Sequence, residues 1–180
     1  MMHRAARTDH ARSRDLASAR HLGSAAPRLP SRTPNEAGGM GRLSMTSAEL
    51  DGFFHEERVL RLATLDDEGW PAVAPVWFVW FDGAFWVWNL ERAKRTPRLR
   101  AGTRCAFTVD AGVEYVELRG ASGRLRATFI AEQDVPHEVR TGFSRKYLHT
   151  DEPLQPADHH AWIRFDPLTM ASWDFRKQAA

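Results

Sequence analysis

The sequence predicts a mainly β domain in which antiparallel strands form a β-barrel with three short helices. Runs of apolar and aromatic residues at 71–80 and 84–90 are strand-like in length and apolar on both faces. Strands buried on both faces need a closed or nearly closed sheet. Asp-Gly and acidic turns separate the strands, and no run of about 18 apolar residues exists to cross a membrane.

Charge is distributed unevenly along the 180 residues. Residues 1–45 contain eight Arg and three acidic residues, which leaves 17 basic and 20 acidic residues in 46–180. The pI near 9.0 therefore comes from the N-terminal segment rather than from the domain. A barrel that grips single-stranded nucleic acid is the weakest function hypothesis for this reason, and we expect neither a nucleic-acid nor a membrane partner.

The N-terminal segment 1–45 has the composition of a disordered extension, because it lacks Trp, Phe, Tyr, Ile and Val. An over-extended reading frame that truly begins at Met40 or Met45 explains it best, and an Arg-rich transit peptide is the rival interpretation. The domain is then expected to span 46–180. The lone cysteine, Cys105, excludes an intramolecular disulfide and favours a reducing cytoplasm.

In the first half of the domain, Thr46 and Glu49 form a capping box that predicts a helix to Glu57. Alternation of apolar residues predicts a strand at 59–65, followed by an acidic turn. We then expect a long strand at 71–80, a tight Asp82-Gly83 turn, and a strand at 84–90.

In the second half, a short helix ends at Gly102, and Pro97 suits its first turn if Thr96 caps it. The remaining predicted elements are a strand at 104–110, a strand pair or one bent strand at 113–130, a helix at 132–148, and two closing strands at 160–166 and 169–175.

Residues 89–100, NLERAKRTPRLR, place five cations directly after an aromatic strand. Charge runs of this kind are most often a solvated helix face. The alternative is that Lys94, Arg95 and Arg98 hold a phosphate, since guanidinium and ammonium groups bind its oxygens through charge-assisted hydrogen bonds.

The run from 61 to 110 is RLATLDDEGWPAVAPVWFVWFDGAFWVWNLERAKRTPRLRAGTRCAFTVD. It resembles the flavin-binding split β-barrel superfamily, which includes pyridoxamine 5′-phosphate oxidase and actinobacterial enzymes that use the deazaflavin coenzyme F420. The shared features are a strand with Ala-Thr, an acidic-Gly turn, a Pro-Val-Trp-Phe strand, an aromatic hairpin and a basic segment. The resemblance covers about residues 46–176.

The resemblance implies a split barrel that forms a homodimer with two cofactor sites at the interface, each taking FMN or F420. It places the ring along Pro75, Val76, Trp77 and Phe78 and beside Trp88 and Asn89 on the adjacent strand. It places the phosphate on Lys94, Arg95 and Arg98, and Trp173 near the cofactor of the partner subunit.

Two residues depart from the family pattern. Ala93 stands where relatives have a Ser, which removes one hydroxyl contact to phosphate, and Pro97 interrupts a segment that is usually helical. No residue pattern for gripping pyridoxamine phosphate is evident, so that activity is not assigned. F420 is favoured slightly. The Arg- and Ala-rich composition is typical of a GC-rich genome, where F420 users are common, and the extra cations Arg98 and Arg126 suit the anionic tail of F420.

The leading function hypothesis is an oxidoreductase in which the cofactor carries hydride to or from a small conjugated substrate. No general acid stands out, and a bound water or Tyr115 is a candidate. The alternative is a non-catalytic flavin, haem or tetrapyrrole carrier or sensor. The adjacent His159 and His160 point to opposite strand faces, which argues against a shared metal ion.

Overall fold

The computed structural model describes residues 41 and 43–178. Its seven strands form one antiparallel sheet, in the order β2-β1-β5-β6-β7-β4-β3, that curls into a half-barrel. The strands are β1 (Val59–Leu65), β2 (Pro71–Trp77), β3 (Val79–Phe81), β4 (Ala84–Leu90), β5 (Cys105–Ala111), β6 (Arg119–Ile130) and β7 (His160–Asp174). The mainly β, antiparallel class predicted from the sequence is confirmed.

Three α-helices accompany the sheet: α1 (Ser47–Glu56), α2 (Arg95–Arg100) and α3 (His137–Phe143). Short 3-10 turns cover Tyr115–Glu117, Glu132–Asp134 and Phe175–Gln178, and a π-helical turn covers Ser144–Leu148. Within the described residues, no helix is long and apolar enough to cross a membrane.

Helix α1 begins as predicted, with both hydrogen bonds of the Thr46–Glu49 capping box formed. It buries Phe53 and Phe54 completely, at 1% and 0% exposure, against the concave side of the sheet. Met45 is also buried in this core, and Leu43 accepts a backbone hydrogen bond from Asp174 at 2.7 Å. The described residues 43–45 therefore pack on the domain, while the rest of the predicted disordered extension, apart from Gly41, lies outside the described residues.

The single long strand predicted at 71–80 is wrong, because the structure interrupts it at Phe78. The Phe78 N–H donates to the Tyr147 hydroxyl at 2.9 Å, and that hydroxyl lies 2.8 Å from the carbonyl oxygens of Phe78 and Arg58. The side chain of Tyr147 thus takes the place of a neighbouring strand at this point and separates β2 from β3.

The turn between β3 and β4 is confirmed as a two-residue hairpin loop. Asp82 and Gly83 both have positive φ, 50° and 67°, and Phe81 pairs with Ala84 across the loop. This is the type I′ geometry that matches the twist of antiparallel strands and favours Asp-Gly.

The two closing strands predicted at 160–166 and 169–175 are one continuous 15-residue strand, β7. It pairs with β6 over that strand's whole length, and a bulge between Arg124 and Leu125 accommodates Pro167 and Leu168. Residues 113–118 do not join β6 but include a 3-10 turn, so the long bent strand begins only at Arg119.

The predicted helix at 132–148 is divided by Pro136 into a 3-10 turn, α3 and the π-helical turn. Its expected apolar face is nevertheless buried. Val135, Val139, Phe143 and Tyr147 join Trp86 and Trp162 in a second core cluster on the outer face of β4 and β7. This cluster forms the base of the candidate site.

Candidate functional site

Two neighbouring grooves open beside the ends of β4 and β7. The first, called here the aromatic groove, has a volume of about 380 Å³ and is lined by Pro75, Val76, Trp77, Val87, Trp88, Leu90, Arg95, Phe143, Leu148 and His160. The second, called here the polar groove, has a volume of about 440 Å³ and is lined by Leu90, Glu91, Arg92, Asp158, His159 and His160. Leu90 and His160 line both, so the grooves are continuous.

Trp77 forms one wall of the aromatic groove. Its ring stacks on Tyr147 with centroids 4.5 Å apart and planes 8° from parallel, and the side chain is still 49% exposed. Burial and the hydrogen bonds at Phe78 fix Tyr147, so the indole rests on a rigid support. The ring is therefore held flat with much of its surface open to a ligand.

Trp88 forms the opposite wall. His160 stacks on it with centroids 3.9 Å apart and planes 16° from parallel, and Phe143 meets its ring edge-on at 5.7 Å. The register pairs Trp88 with Trp162 and Leu90 with His160 across β4 and β7. These contacts leave Trp88 half-buried and fixed in orientation.

Arg95 supplies the positive charge at the rim. Its Nε donates to Oδ1 of Asn89 at 2.7 Å, and Nδ2 of Asn89 donates to Thr96 at 2.8 Å and to the Leu90 carbonyl at 3.0 Å. Asn89 is fully buried, at 0% exposure. Burial lowers the pKa of Arg95 from its usual value, and its two terminal nitrogens have no partner in the part of the chain that the structure describes.

Lys94 and Arg98 flank this guanidinium in the sequence. Neither side chain has a hydrogen bond or ion pair with another described residue, whereas the Arg100 side chain is paired with Glu91 at 2.6 Å. Both are therefore available to an anion, although neither lines the aromatic groove.

The helix that carries the basic segment starts earlier than predicted. Lys94 adopts helical angles at the N-cap and α2 begins at Arg95, which places Pro97 in the first turn. The Thr96 hydroxyl does not cap the helix but donates to the Leu90 carbonyl at 3.0 Å. This change ties the helix to the end of β4 and brings Arg95 to the groove.

Of the ten residues predicted at the site, the structure brings together five in the aromatic groove: Pro75, Val76, Trp77, Trp88 and Arg95. Asn89 lies beneath them as the anchor of Arg95. The Phe78 side chain is fully buried in the core, so only its backbone is near this region. Trp173 lies at the far end of β7, where its ring covers Gly120.

Sequence reasoning missed His160, Phe143 and Leu148 as groove residues. Their positions depend on the pairing of β4 with β7 and on the π-helical turn, neither of which short-range spacing reveals. Tyr115, the candidate general acid, is 66% exposed, packs on Phe175 and does not line either groove. Among the described residues, no group of His, Cys, Asp and Glu side chains could hold a metal ion.

Comparison with known families places this geometry in context. The family described as pyridoxamine 5′-phosphate oxidase matches residues 46–174. No curated protein sequence matches the chain significantly.

Solved structures share the fold. A conserved hypothetical protein of Mycobacterium tuberculosis, Rv2991, is 24% identical with a TM-score of 0.69, over 78% of this chain and 91% of that one. A FAD-binding protein of Mesorhizobium loti is 20% identical with a TM-score of 0.55, over 72% and 93%. HutZ, the haem storage protein of Vibrio cholerae, is 17% identical with a TM-score of 0.57, over 69% and 92%. At these identities the similarity shows the fold alone.

Proposed function

Because the chain belongs to the pyridoxamine 5′-phosphate oxidase family, we propose that it is an oxidoreductase that binds FMN or F420 in the aromatic groove. It would transfer a hydride to or from a small conjugated substrate. The observation that carries the proposal is the arrangement of Trp77 and Trp88 as groove walls beside an Arg95 whose terminal nitrogens are unpaired.

The residues of the groove fit such a cofactor. Its volume of about 380 Å³ lies within the range of about 300–1,000 Å³ typical of small-molecule sites, and it joins a second groove of similar size. Aromatic and proline surfaces suit a flat ring. A guanidinium with one nitrogen anchored by Asn89 is pre-organised, so it loses little freedom when it binds a phosphate.

The bound ring would supply the hydride chemistry. The protein's part is to hold and orient. Tyr147 and His160 fix the two indoles, Asn89 fixes Arg95, and the buried cluster behind Phe143 keeps water from the base of the groove. Lys94 and Arg98 would complete the anion site.

F420 is the slightly favoured cofactor. Its anionic tail needs cations beyond those that bind one phosphate, and Arg92, Arg98 and Arg126 have no ion-pair partner among the described residues. A lone, buried Cys105 is in keeping with action in a reducing cytoplasm.

A homodimer would complete the site. Edge strand β2 turns Pro71, Val73, Pro75 and Trp77 outward, and Trp70 beside it is 68% exposed. An apolar strip of this kind on an edge strand is typical of an interface. In such a dimer Trp173 would approach the partner's cofactor.

Titration of the purified chain with FMN and with F420, followed by Trp fluorescence, tests the proposal. Quenching is expected for a ring that stacks beside Trp77 and Trp88. Replacing Lys94 and Arg95 together by Ala should weaken binding, with each lost charge-assisted contact costing about 1.5–3 kcal/mol. Arg104→Ala is the matched control, because Arg104 is exposed, unpaired within the described chain and outside both grooves. Unchanged affinity for both cofactors in the double variant would refute the site.

A haem or tetrapyrrole carrier is the second candidate function. The observation in its favour is an imidazole, His160, whose Nε2 lacks a protein partner within the described residues and lies on a planar-ligand groove. Titration with haemin distinguishes the two functions. A Soret band that His160→Gln shifts, with no reduction of enones or quinones by reduced cofactor, would favour the carrier.

A further inference from the structure

The two grooves meet at His160. Among the described residues, it is the only titratable one that lines both, since the other shared residue is Leu90. We propose that His160 exchanges a proton with the substrate of this cleft, an inference that rests on the proposed oxidoreductase function. A substrate placed across the junction would contact the imidazole directly.

The backbone position and two side-chain contacts fix the His160 ring. It is the first residue of β7, it stacks on Trp88 at 3.9 Å, and its Nδ1 lies 3.3 Å from the Asp158 carbonyl oxygen. A carbonyl oxygen can only accept, so this contact places a hydrogen on Nδ1 and leaves Nε2 as the nitrogen that gains or loses a proton. Nε2 has no protein partner in the described part of the chain.

No other group in the aromatic groove can do this work. Within the described part of the chain, the one other titratable residue that lines it is Arg95, which stays protonated as guanidinium groups do in proteins. The Tyr147 hydroxyl is committed to the Phe78 and Arg58 backbone, and burial raises the pKa of Tyr147 to about 12. The Lys146 ammonium donates to the Phe54 carbonyl instead, at 3.1 Å.

Five charged or titratable residues line the two grooves around His160. Arg95 faces it in the aromatic groove, and Glu91, Arg92, Asp158 and His159 face it in the polar groove. Glu91 is paired with Arg100, which leaves Arg92 and Asp158 as opposed neighbours. The imidazole therefore lies among charged groups of both signs.

The proton balances the proposed reduction. When a carbon–carbon double bond conjugated to a carbonyl is reduced, a hydride adds to the distal carbon, the π bond breaks and its electron pair moves toward the carbonyl oxygen. That oxygen takes the proton from Nε2, and water restores the proton to the imidazole. The substrate is reduced by two electrons, and the reduced ring cofactor that supplies the hydride is oxidised.

His160→Phe is the informative variant, because a phenyl ring keeps the stack on Trp88 and cannot exchange a proton. His55→Gln is the control, since His55 is exposed on α1 and lines neither groove. The first measurement is calorimetric binding of 4-nitrophenolate, whose delocalised oxygen resembles the anion that the imidazole would meet. We expect binding to weaken about tenfold in His160→Phe.

The second measurement is the pH profile of 2-cyclohexen-1-one reduction by reduced F420 or FMN under anaerobic conditions. Loss of a general acid should lower kcat about 100-fold in His160→Phe and remove the limb that depends on the imidazole. Cofactor affinity should fall much less than kcat in this variant, because the phenyl ring keeps the stack on Trp88. His55→Gln should behave as the parent.

These outcomes separate the two proposals. If the cofactor binds and reacts but His160→Phe retains both the parental pH profile and its affinity for 4-nitrophenolate, the proton role is wrong and the proposed function stands. If neither cofactor binds the parent protein, the proposed function fails first. Equal losses in His160→Phe and His55→Gln would also overturn the assignment, because His55 lies outside both grooves.

Discussion

The two ends of β7 treat polar groups in opposite ways. At the Trp173 end, Asp174 is buried and paired with Arg176 at 2.6 Å, its backbone N–H is bonded to Leu43, and Lys177 bonds both Ser44 and Glu49. At the His160 end, Nε2 of His160, the terminal nitrogens of Arg95 and the Lys94 ammonium lack partners within the described chain. The polar groups at the Trp173 end are satisfied within the chain, whereas those at the His160 end remain available to a ligand.

The largest expected effect comes from disrupting the close pairing of β6 with β7 at Gly123. A Cβ added at Gly123 would lie 1.9 Å from the Thr169 carbonyl oxygen, so β6 and β7 could not keep their spacing. Gly123→Ala should lower the free energy of unfolding by about 3 kcal/mol, measured by urea denaturation. Gly52→Ala is the control, because nothing lies within 4 Å there and Ala favours helix α1, by up to about 1 kcal/mol. Equal stability of the two variants would contradict the packing described.

Asn89→Ala should have the next largest effect on stability, at the His160 end of β7. It leaves Nε of Arg95 unanchored and removes both side-chain donations to Thr96 and Leu90. We expect a loss of about 1–3 kcal/mol of stability together with weaker cofactor binding. Denaturation and cofactor titration of the same variant measure both. A loss of stability with full affinity would show that Arg95 needs no anchor.

The buried Lys146 should make the free energy of unfolding depend on pH. Burial lowers its pKa to about 8 from the ordinary 10.5. The unfolded chain therefore binds more protons between these values, and the free energy of unfolding should rise with pH across that window. Urea denaturation from pH 7.5 to 9.5 should show this slope in the parent and a flatter one in Lys146→Met. Parallel slopes would place the ammonium in solvent.

The smallest expected effect is the acid dependence of stability caused by Glu49, which bonds Lys177 near the Trp173 end of β7. Its hydrogen bond to Lys177 and those to Thr46 lower its pKa from 4.5 to about 2. This contribution is complete above the ordinary pKa and is lost as pH falls toward 2. Because the carboxylate is exposed, we expect only a small acid-dependent loss, reduced in Lys177→Met. Acid titration followed by circular dichroism measures it, and identical curves would exclude the pair.

Local sequence chemistry predicted the parts of the fold that short segments determine. The capping box set the start of α1, and Asp82-Gly83 set the hairpin, because neighbouring residues supply all the contacts involved. β1 was predicted within its observed limits for the same reason.

Long-range contacts determined what the sequence did not reveal. The break at Phe78 is caused by a hydroxyl 69 positions away, and the continuity of β7 depends on its pairing with β6. The groove residues likewise divide into those set by local sequence and those set by long-range pairing. Trp77 and Trp88 were predicted from aromatic strands, whereas His160 is placed beside Trp88 only by the register of β4 with β7.

The interruption at Phe78 changes which side chains along this segment point to the interior. Along β2 outward and inward side chains alternate, whereas Phe78, Val79 and Trp80 are buried in succession. The alternation of β2 therefore does not continue after the break. A regular strand could not present Trp77 to a ligand and then commit the next three side chains to the interior. The hydroxyl of Tyr147, on the distant π-helical turn, makes this break possible. Residues 71–80 can therefore line the groove at Trp77 and contribute buried side chains after it.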